Sequence, residues 1–242
     1  MNIDEASRNW TDLGEGDPLW VVLTDPDKKG NRWKVDEFFA TGRSEIQNLY
    51  QRVEAAGLTI SPGRGLDFGC GVGRLTQALA ERFAAVDGVD ISASMIRHAE
   101  SFQRVPDRVK YHLNVRSDLK AFPSAQYDFI CSLIALQHTP PHFQRRYIAD
   151  FVRLLKPGGC ACFQTIHARG WRRWIPDWFA DFIRKRRSGG AAFIPLYGLS
   201  PDDIRRIVGR SGGRVVMYQS APYAGWESRY GVDFFVIGKN PT

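Results

Sequence analysis

The sequence lacks any apolar run long enough to cross a bilayer: none of its hydrophobic stretches nears the roughly 20 residues that a spanning helix needs. Its opening, Met1-Asn2-Ile3-Asp4-Glu5, has neither the basic start nor the apolar centre of a secretory leader. Cysteine is scarce. Cys70, Cys131, Cys160 and Cys162 are too few, and sit in segments too apolar, for a disulfide scaffold. No further Cys or His cluster completes tetrahedral zinc ligation around the Cys160-x-Cys162 pair, so no metal is expected. Internal repeats and low-complexity tracts are also missing. These absences predict a reduced, soluble, cytoplasmic protein.

What is present is an ordinary globular composition, 43% hydrophobic and 24% charged over 242 residues, enough for one large α/β domain or two small ones. Lys and Arg number 33 against 26 Asp and Glu, a net charge of +7. Residues 169–187 alone carry seven basic and two acidic side chains. Basicity gathered in one segment argues against an extended nucleic-acid-binding face.

Residues 1–44 read as polar, Trp-bearing and irregular, with turns at Thr24-Asp25-Pro26-Asp27 and Lys29-Gly30-Asn31. A helix carrying Ile46, Leu49, Tyr50 and Val53 follows and closes at Gly57. Strands are then expected at Gly65 to Phe68, Val86 to Val89, Val109 to Leu113, Tyr127 to Ile134 and Cys160 to Thr165. Helical spacing recurs between them, as in Leu75, Ala78, Leu79 and in Phe143, Tyr147, Phe151. Such alternation predicts a parallel sheet with helices on both faces. Ser200-Pro201-Asp202-Asp203 has the capping pattern of another helix, and Arg214 to Tyr218 and Asp233 to Gly238 read as an antiparallel edge. The expected organisation is a helical cap over 1–60 and a main domain over 61–242, with an insertion at about 168–199.

The stretch Gly65-Leu66-Asp67-Phe68-Gly69-Cys70-Gly71-Val72-Gly73-Arg74 runs a strand into a glycine turn and then a helix, which lets a ligand approach the backbone closely. Arg74 stands where a dinucleotide-binding loop wants its third glycine. The Asp67 carboxylate would repel a pyrophosphate and attract an ammonium or sulfonium, which argues against NAD and ATP. Asp90 ends the second strand, where a carboxylate can accept both hydroxyls of an adenosine ribose. Asn114 ends the third, and its amide either meets an adenine amino group or shapes a turn.

Taken in order, Asp67-x-Gly-x-Gly-x-Gly, Gly88-Val89-Asp90-Ile91-Ser92, Tyr127-Asp128-Phe129-Ile130 and Leu154-Leu155-Lys156-Pro157-Gly158-Gly159 resemble the class I S-adenosylmethionine-dependent methyltransferases over about 100 residues. The resemblance implies a Rossmann-like three-layer α/β sandwich, its seven-stranded sheet mostly parallel with a reversed last strand. It also implies S-adenosylmethionine as cofactor, with S-adenosylhomocysteine as its product, at the carboxyl edge of the sheet. In that arrangement Gly69, Cys70 and Gly71 flank the methionine part, Asp67 faces its ammonium and Asp90 holds the ribose. Ile91 and Val115 pack on the adenine that Asn114 reaches, and Ser132 and Leu133 line the sulfonium. Relatives carry Asp where this chain has Asn114. Arg43, after Phe38-Phe39-Ala40-Thr41-Gly42, either closes over the methionine carboxylate or is a surface arginine at a helix start.

Methyl transfer from a sulfonium is an in-line displacement whose rate rests on positioning and electrostatics. A hydroxyl acceptor gains further from a base that works near neutral pH. His138, in the loop after the fourth strand, is the candidate base; the alternative is a loop histidine bonded to backbone. Gln164 and His167 at the end of the next strand are candidates for acceptor contact. Tyr197, Trp226 and Tyr230 offer aromatic faces suited to sugar rings or planar acceptors. In the insertion, Trp171, Trp174, Ile175, Trp178, Phe179, Phe182 and Ile183 make a helical apolar stripe. It is either a lid over the site, a homodimer surface or a peripheral membrane contact through 171–187. The expected activity is methyl transfer to an oxygen of a small molecule or glycan. A nitrogen acceptor, nucleic-acid modification and cofactor binding without catalysis are the alternatives.

Overall fold

The computed structural model of the chain describes residues 2–168, 196–222 and 230–240. Apolar runs bounded by turns form seven strands: β1 (Arg64–Phe68), β2 (Ala85–Asp90), β3 (Val109–Leu113), β4 (Tyr127–Ser132), β5 (Leu155–Ala168), β6 (Gly213–Pro222) and β7 (Tyr230–Lys239). They make one sheet in the order β3-β2-β1-β4-β5-β7-β6. Pairing is parallel from β3 through β5, and β7 runs antiparallel to both of its neighbours. The order switches direction at β1 and β4, which opens a crevice beyond their carboxyl ends.

The reversed last strand is present, and with β6 it makes the expected antiparallel edge of the sheet. β7 lies between β5 and β6, and β6 takes the border. Phe235, Val236 and Ile237 are fully buried, so β7 needs a partner on each side and cover on both faces. β6, with Arg214 and Gln219, tolerates an open side. The turn expected at Lys156 to Gly159 appears as an irregularity inside β5: Tyr127 pairs with Leu155, then Phe129 with Cys160. Gly158 takes φ 78° there.

Helices α1 (Ile3–Gly16), α2 (Pro18–Val22) and α3 (Val35–Ala55) precede the sheet, and α4 (Arg74–Ala80), α5 (Ala93–Ser101), α6 (Pro141–Leu154) and α7 (Pro201–Arg210) are interleaved with it. On one face α6 and α7 cover a core containing Phe151, Phe163 and Phe235, the last two stacked at 5.4 Å. On the other, Ile46, Leu49 and Val53 of α3 and Leu75 and Leu79 of α4 cover Phe83 and Phe129, stacked at 5.9 Å. The spacing expected around Ile46 is thus the buried face of a helix that starts eleven residues earlier, at Val35.

The irregular reading of residues 1–44 does not hold, because α1 is a helix of 14 residues. Asn2 Oδ1 accepts the Glu5 N–H at 2.8 Å, and Asp4 and Glu5 sit in the first turn, where acidic side chains suit the helix dipole. Tertiary contacts complete it. A Cβ on Gly14 would strike Ser94 Oγ, so α1 lies very close to α5. Ser94 Oγ donates to Thr11 O at 2.7 Å, Ser92 Oγ to Trp10 O at 3.2 Å and Ser7 Oγ to Ile91 O at 3.0 Å. Arg97 pairs with Glu15. α1 is thereby strapped across the carboxyl edge of the sheet. Residues 169–195, most of the expected insertion and the part that carries its lid, dimer and membrane readings, lie outside the described residues. Among the described residues no helix is long and apolar enough to cross a membrane.

At the amino edge, buried Asp87 accepts hydrogen bonds from Arg64 Nε (2.7 Å), His112 Nε2 (2.7 Å) and Tyr127 OH (2.9 Å). Burial opposes its ionisation, but these bonds and the Arg64 charge outweigh it and hold the carboxyl at about 2. A depressed carboxyl adds stability above its unfolded value, near 4, and loses it as pH falls towards 2. The contribution is on the order of 2–3 kcal/mol. Asp87→Asn should therefore be less stable than the wild type by that amount at pH 7. Chemical denaturation repeated down to pH 2 should show the gap closing; a gap independent of pH would refute the linkage.

Candidate functional site

β1 runs straight into the glycine loop, where Gly69, Gly71 and Gly73 take φ of 76°, 52° and 83°. Side chains are strained in that left-handed region, which is why glycine recurs. The loop is tied to β2, since the N–H groups of Gly69 and Cys70 both donate to Val89 O (2.7 and 3.1 Å). The Asp90 carboxylate continues the attachment, accepting from Gly71 N at 2.8 Å and Ser92 N at 2.9 Å.

A cleft of ≈ 1110 Å³, counting its part open to solvent, lies over the carboxyl ends of β1, β2 and β4. Asp67, Gly69, Cys70, Gly71, Asp90, Ile91, Asn114, Leu133 and His138 all border it. Ile3, Ala6 and Trp10 of α1 and Val21 and Val22 of α2 form further walls. The Trp10 and His138 rings lie 5.2 Å apart, tilted by 59°. His138 sits in a 3-10 turn (Leu136–His138), and its Nε2 is 3.2 Å from Gln137 Nε2.

Other candidates lie elsewhere. Arg43 is exposed in the middle of α3, not at a helix start, and is not a wall of the cleft. Val115 is 47% exposed beside the cleft rather than within it. Ser132 is fully buried behind the walls, its Oγ without a hydrogen-bond partner. Tyr197 is buried, and its backbone N–H supports the His138 turn by donating to Gln137 O at 2.7 Å. Gln164 donates to Gln137 Oε1 at 3.4 Å and borders a second cleft that shares Leu133 with the first. His167 is held by Asp233 at 2.6 Å, and Tyr230 pairs with Ala168 as β7 begins. Trp226 lies outside the described residues.

The electrostatics of the cleft are set by buried acids. Burial pushes Asp67 up to about 6, against hydrogen bonds from Thr76 Oγ1 (2.7 Å) and Cys131 Sγ (3.6 Å) and the charge of Arg74. Burial likewise raises Asp90, opposed by its bonds from Ser92 and Gly71. Asn114 Nδ2 donates to Asp118 O at 3.1 Å, while its own N–H donates to Asp90 O at 2.8 Å. Sequence reasoning missed Trp10, Val22 and Arg74 as walls. The Ile3, Ala6, Trp10 spacing behind the Asn2 cap was the available signal for the first of them.

A strand, a glycine loop, a buried acid before it and a second acid at the next strand's end define a Rossmann-like ligand site at a topological switch point. A methyltransferase-domain family profile matches residues 37–216. The chain belongs to that family, within the class I S-adenosylmethionine-dependent methyltransferases. Its sequence is 33% identical to the biotin biosynthesis bifunctional protein BioCD of Bordetella avium over 134 residues, covering 54% of this chain and 28% of that protein. It is 34% identical to the ubiquinone biosynthesis O-methyltransferase of Coxiella burnetii over 114 residues, 46% of each. The match thus spans less than half the length of these curated relatives. Among solved structures, magnesium protoporphyrin IX methyltransferase from Synechocystis, with bound S-adenosylhomocysteine, shares the fold at TM-score 0.61 and 18% identity, covering 98% of this chain and 99% of that one. Geranyl diphosphate C-methyltransferase from Streptomyces coelicolor does so at 0.64 and 14%, covering 98% and 97%.

Proposed function

We propose that this chain takes a methyl group from S-adenosylmethionine and delivers it to an oxygen of a small molecule or glycan, with His138 as base. The reading is carried by one observation: His138 borders the same cleft as Asp67, Gly69, Gly71 and Asp90. The Coxiella relative, an O-methyltransferase by name, supports oxygen as acceptor, and the small substrates named for the solved neighbours support a small one.

The donor set fits an adenosyl ligand. Asp90 would hold the ribose while its bonds to Gly71 and Ser92 keep the glycine loop in place, and Ile91 and Leu133 offer apolar surface. Bound there, S-adenosylmethionine would supply an electrophilic methyl group on a sulfonium. The apolar walls from Ile3, Ala6, Val22 and Leu133 lower the polarity around a bound ligand, which would strengthen each electrostatic contact inside. Gln137 Nε2 lies 3.2 Å from His138 Nε2, close enough to orient the imidazole ring. Trp10 packs against the same ring and fixes its plane.

Calorimetry tests the cofactor. S-adenosylhomocysteine should bind and NAD should not. Asp90→Ala should weaken S-adenosylhomocysteine by about 1–3 kcal/mol, the worth of hydrogen bonds to a charged group. Unchanged affinity in that variant would remove Asp90 from the ribose, and a wild type that binds NAD instead would overturn the reading.

A further inference from the structure

α3 turns Ile46, Leu49 and Val53 onto the sheet, and Glu45 and Arg52, two turns apart, flank that stripe. Beside them the sheet continues through β7 to the border strand β6, and a second cleft of ≈ 950 Å³, counting its part open to solvent, lies between. Gln164 of β5, Val232 and Phe234 of β7 and the exposed Gln219 of β6 wall it. Arg52 sits over the Phe234 ring, 4.4 Å from its centroid, which fixes the charge at the cleft wall. Among the described residues no hydrogen bond or ion pair engages this guanidinium, so its N–H donors are open to a ligand. Glu45, the other charge at the cleft, lies roughly 10 Å away along the helix, too far to pair with it.

This cleft adjoins the first. Leu133 is a wall of both. Gln164 Nε2 donates to Gln137 Oε1 at 3.4 Å, which ties the second cleft to the turn that carries His138. Ser132 pairs with Phe163 and Gln164 with Phe234, so Leu133, Gln164 and Phe234 stand at one level across three neighbouring strands. At the usual strand spacing Phe234 is then about 10 Å from Leu133. A molecule with one end at His138 can lay its body over Leu133 and present its far end to Arg52.

We propose that the second cleft seats the methyl acceptor and that the acceptor is a small organic anion, its carboxylate or phosphate held by Arg52; this rests on the reading that the first cleft takes an S-adenosyl ligand. The planar fork of arginine suits either anion in two-point contact. Leu133, Val232 and Phe234 offer apolar surface to the body of such a molecule. Glu45 repels an anion from its own end of the cleft and leaves Arg52 as the place for it. A neutral glycan would leave the guanidinium unused.

The test uses 3-(4-hydroxyphenyl)propanoate, which has a hydroxyl at one end and a carboxylate at the other. Its primary amide is the neutral match, and 2-(4-hydroxyphenyl)ethyl phosphate is the phosphate counterpart. NMR titration of the protein loaded with S-adenosylhomocysteine should show at least one of the two anions binding roughly 10- to 100-fold tighter than the amide, the worth of a hydrogen bond to a charged group. The tighter of the two tells carboxylate from phosphate. Overhauser contacts between the phenol ring and S-adenosylhomocysteine should place the hydroxyl end at the first cleft. Arg52→Gln should erase the preference for the anion and Arg52→Lys should keep part of it, with S-adenosylhomocysteine affinity unchanged in both. Equal binding of anions and amide, a preference that survives Arg52→Gln, or anion binding without contact to S-adenosylhomocysteine would each overturn the proposal. A wild type that does not bind S-adenosylhomocysteine would instead overturn the cofactor reading, and the anion preference measured without it would still test Arg52.

Discussion

His138→Ala lowers turnover by about 10²–10⁴ while leaving S-adenosylhomocysteine affinity nearly unchanged; this is the expected result if the acceptor is a hydroxyl. A hydroxyl proton has a pKa far above 7, so it must leave during or after attack, and a neutral imidazole in reach can take it. The substitution spares the fold, because the turn is held by backbone: His138 N donates to Ala135 O at 3.1 Å and Thr139 N to Leu136 O at 3.0 Å. It spares the cofactor half of the cleft as well, since Asp67 and Asp90 are held by Thr76, Gly71 and Ser92. Single-turnover rates with each candidate acceptor, measured beside calorimetry, separate chemistry from binding. An amine acceptor attacks with its own lone pair and sheds its proton afterwards. Near-normal turnover in His138→Ala would therefore sink the base and move the acceptor towards nitrogen.

The second large effect is structural and lies in the glycine loop. Gly69 takes φ 76°, and a Cβ built on it would overlap Ala135 Cβ in the loop after β4. Gly69→Ala thus meets two costs. The left-handed backbone costs an L-residue roughly 1–2 kcal/mol, and forcing a methyl into filled space adds roughly 1–3 kcal/mol. Relief must come from the segment carrying Leu133, Ala135 and His138, all walls of the cleft. The variant should lose about 2–5 kcal/mol of stability and bind S-adenosylhomocysteine more weakly. Gly158→Ala is the matched comparison: φ is 78°, but nothing lies within 4 Å of its Cβ position. It should lose only the backbone share and keep full affinity. Equal melting-point losses in the two variants would mean that close packing on Ala135 contributes nothing.

These two glycines also show what kind of information the sequence holds. Need for a left-handed turn is local, so Gly69-x-Gly71-x-Gly73 between a β-like run and a helical run is legible without coordinates, as are the acids that flank it. The strands from β1 to β5 are legible for the same reason, because apolar runs and turn residues act on their own neighbours. Whether Gly69 also touches Ala135, sixty-six residues away, is not written in either segment.

The sequence by itself determined the strand–loop–helix unit, the doubly covered sheet and the gathering of Asp67, Asp90, Asn114 and His138 at its carboxyl ends, since parallel strands deliver their ends to one edge. Tertiary structure decided the rest. It put α1 over the cleft through side-chain bonds of Ser7, Thr11, Ser92 and Ser94 to backbone across the contact, residues whose polarity reads as solvent-facing along the chain. It placed β7 inside the sheet, because three consecutive buried residues demand cover on both sides. It withdrew Ser132 and Tyr197 into the interior, left Arg43 in solvent and buried Arg74 at the cleft wall. Burial is a property of what lies opposite, so it is not written in the segment that carries the residue.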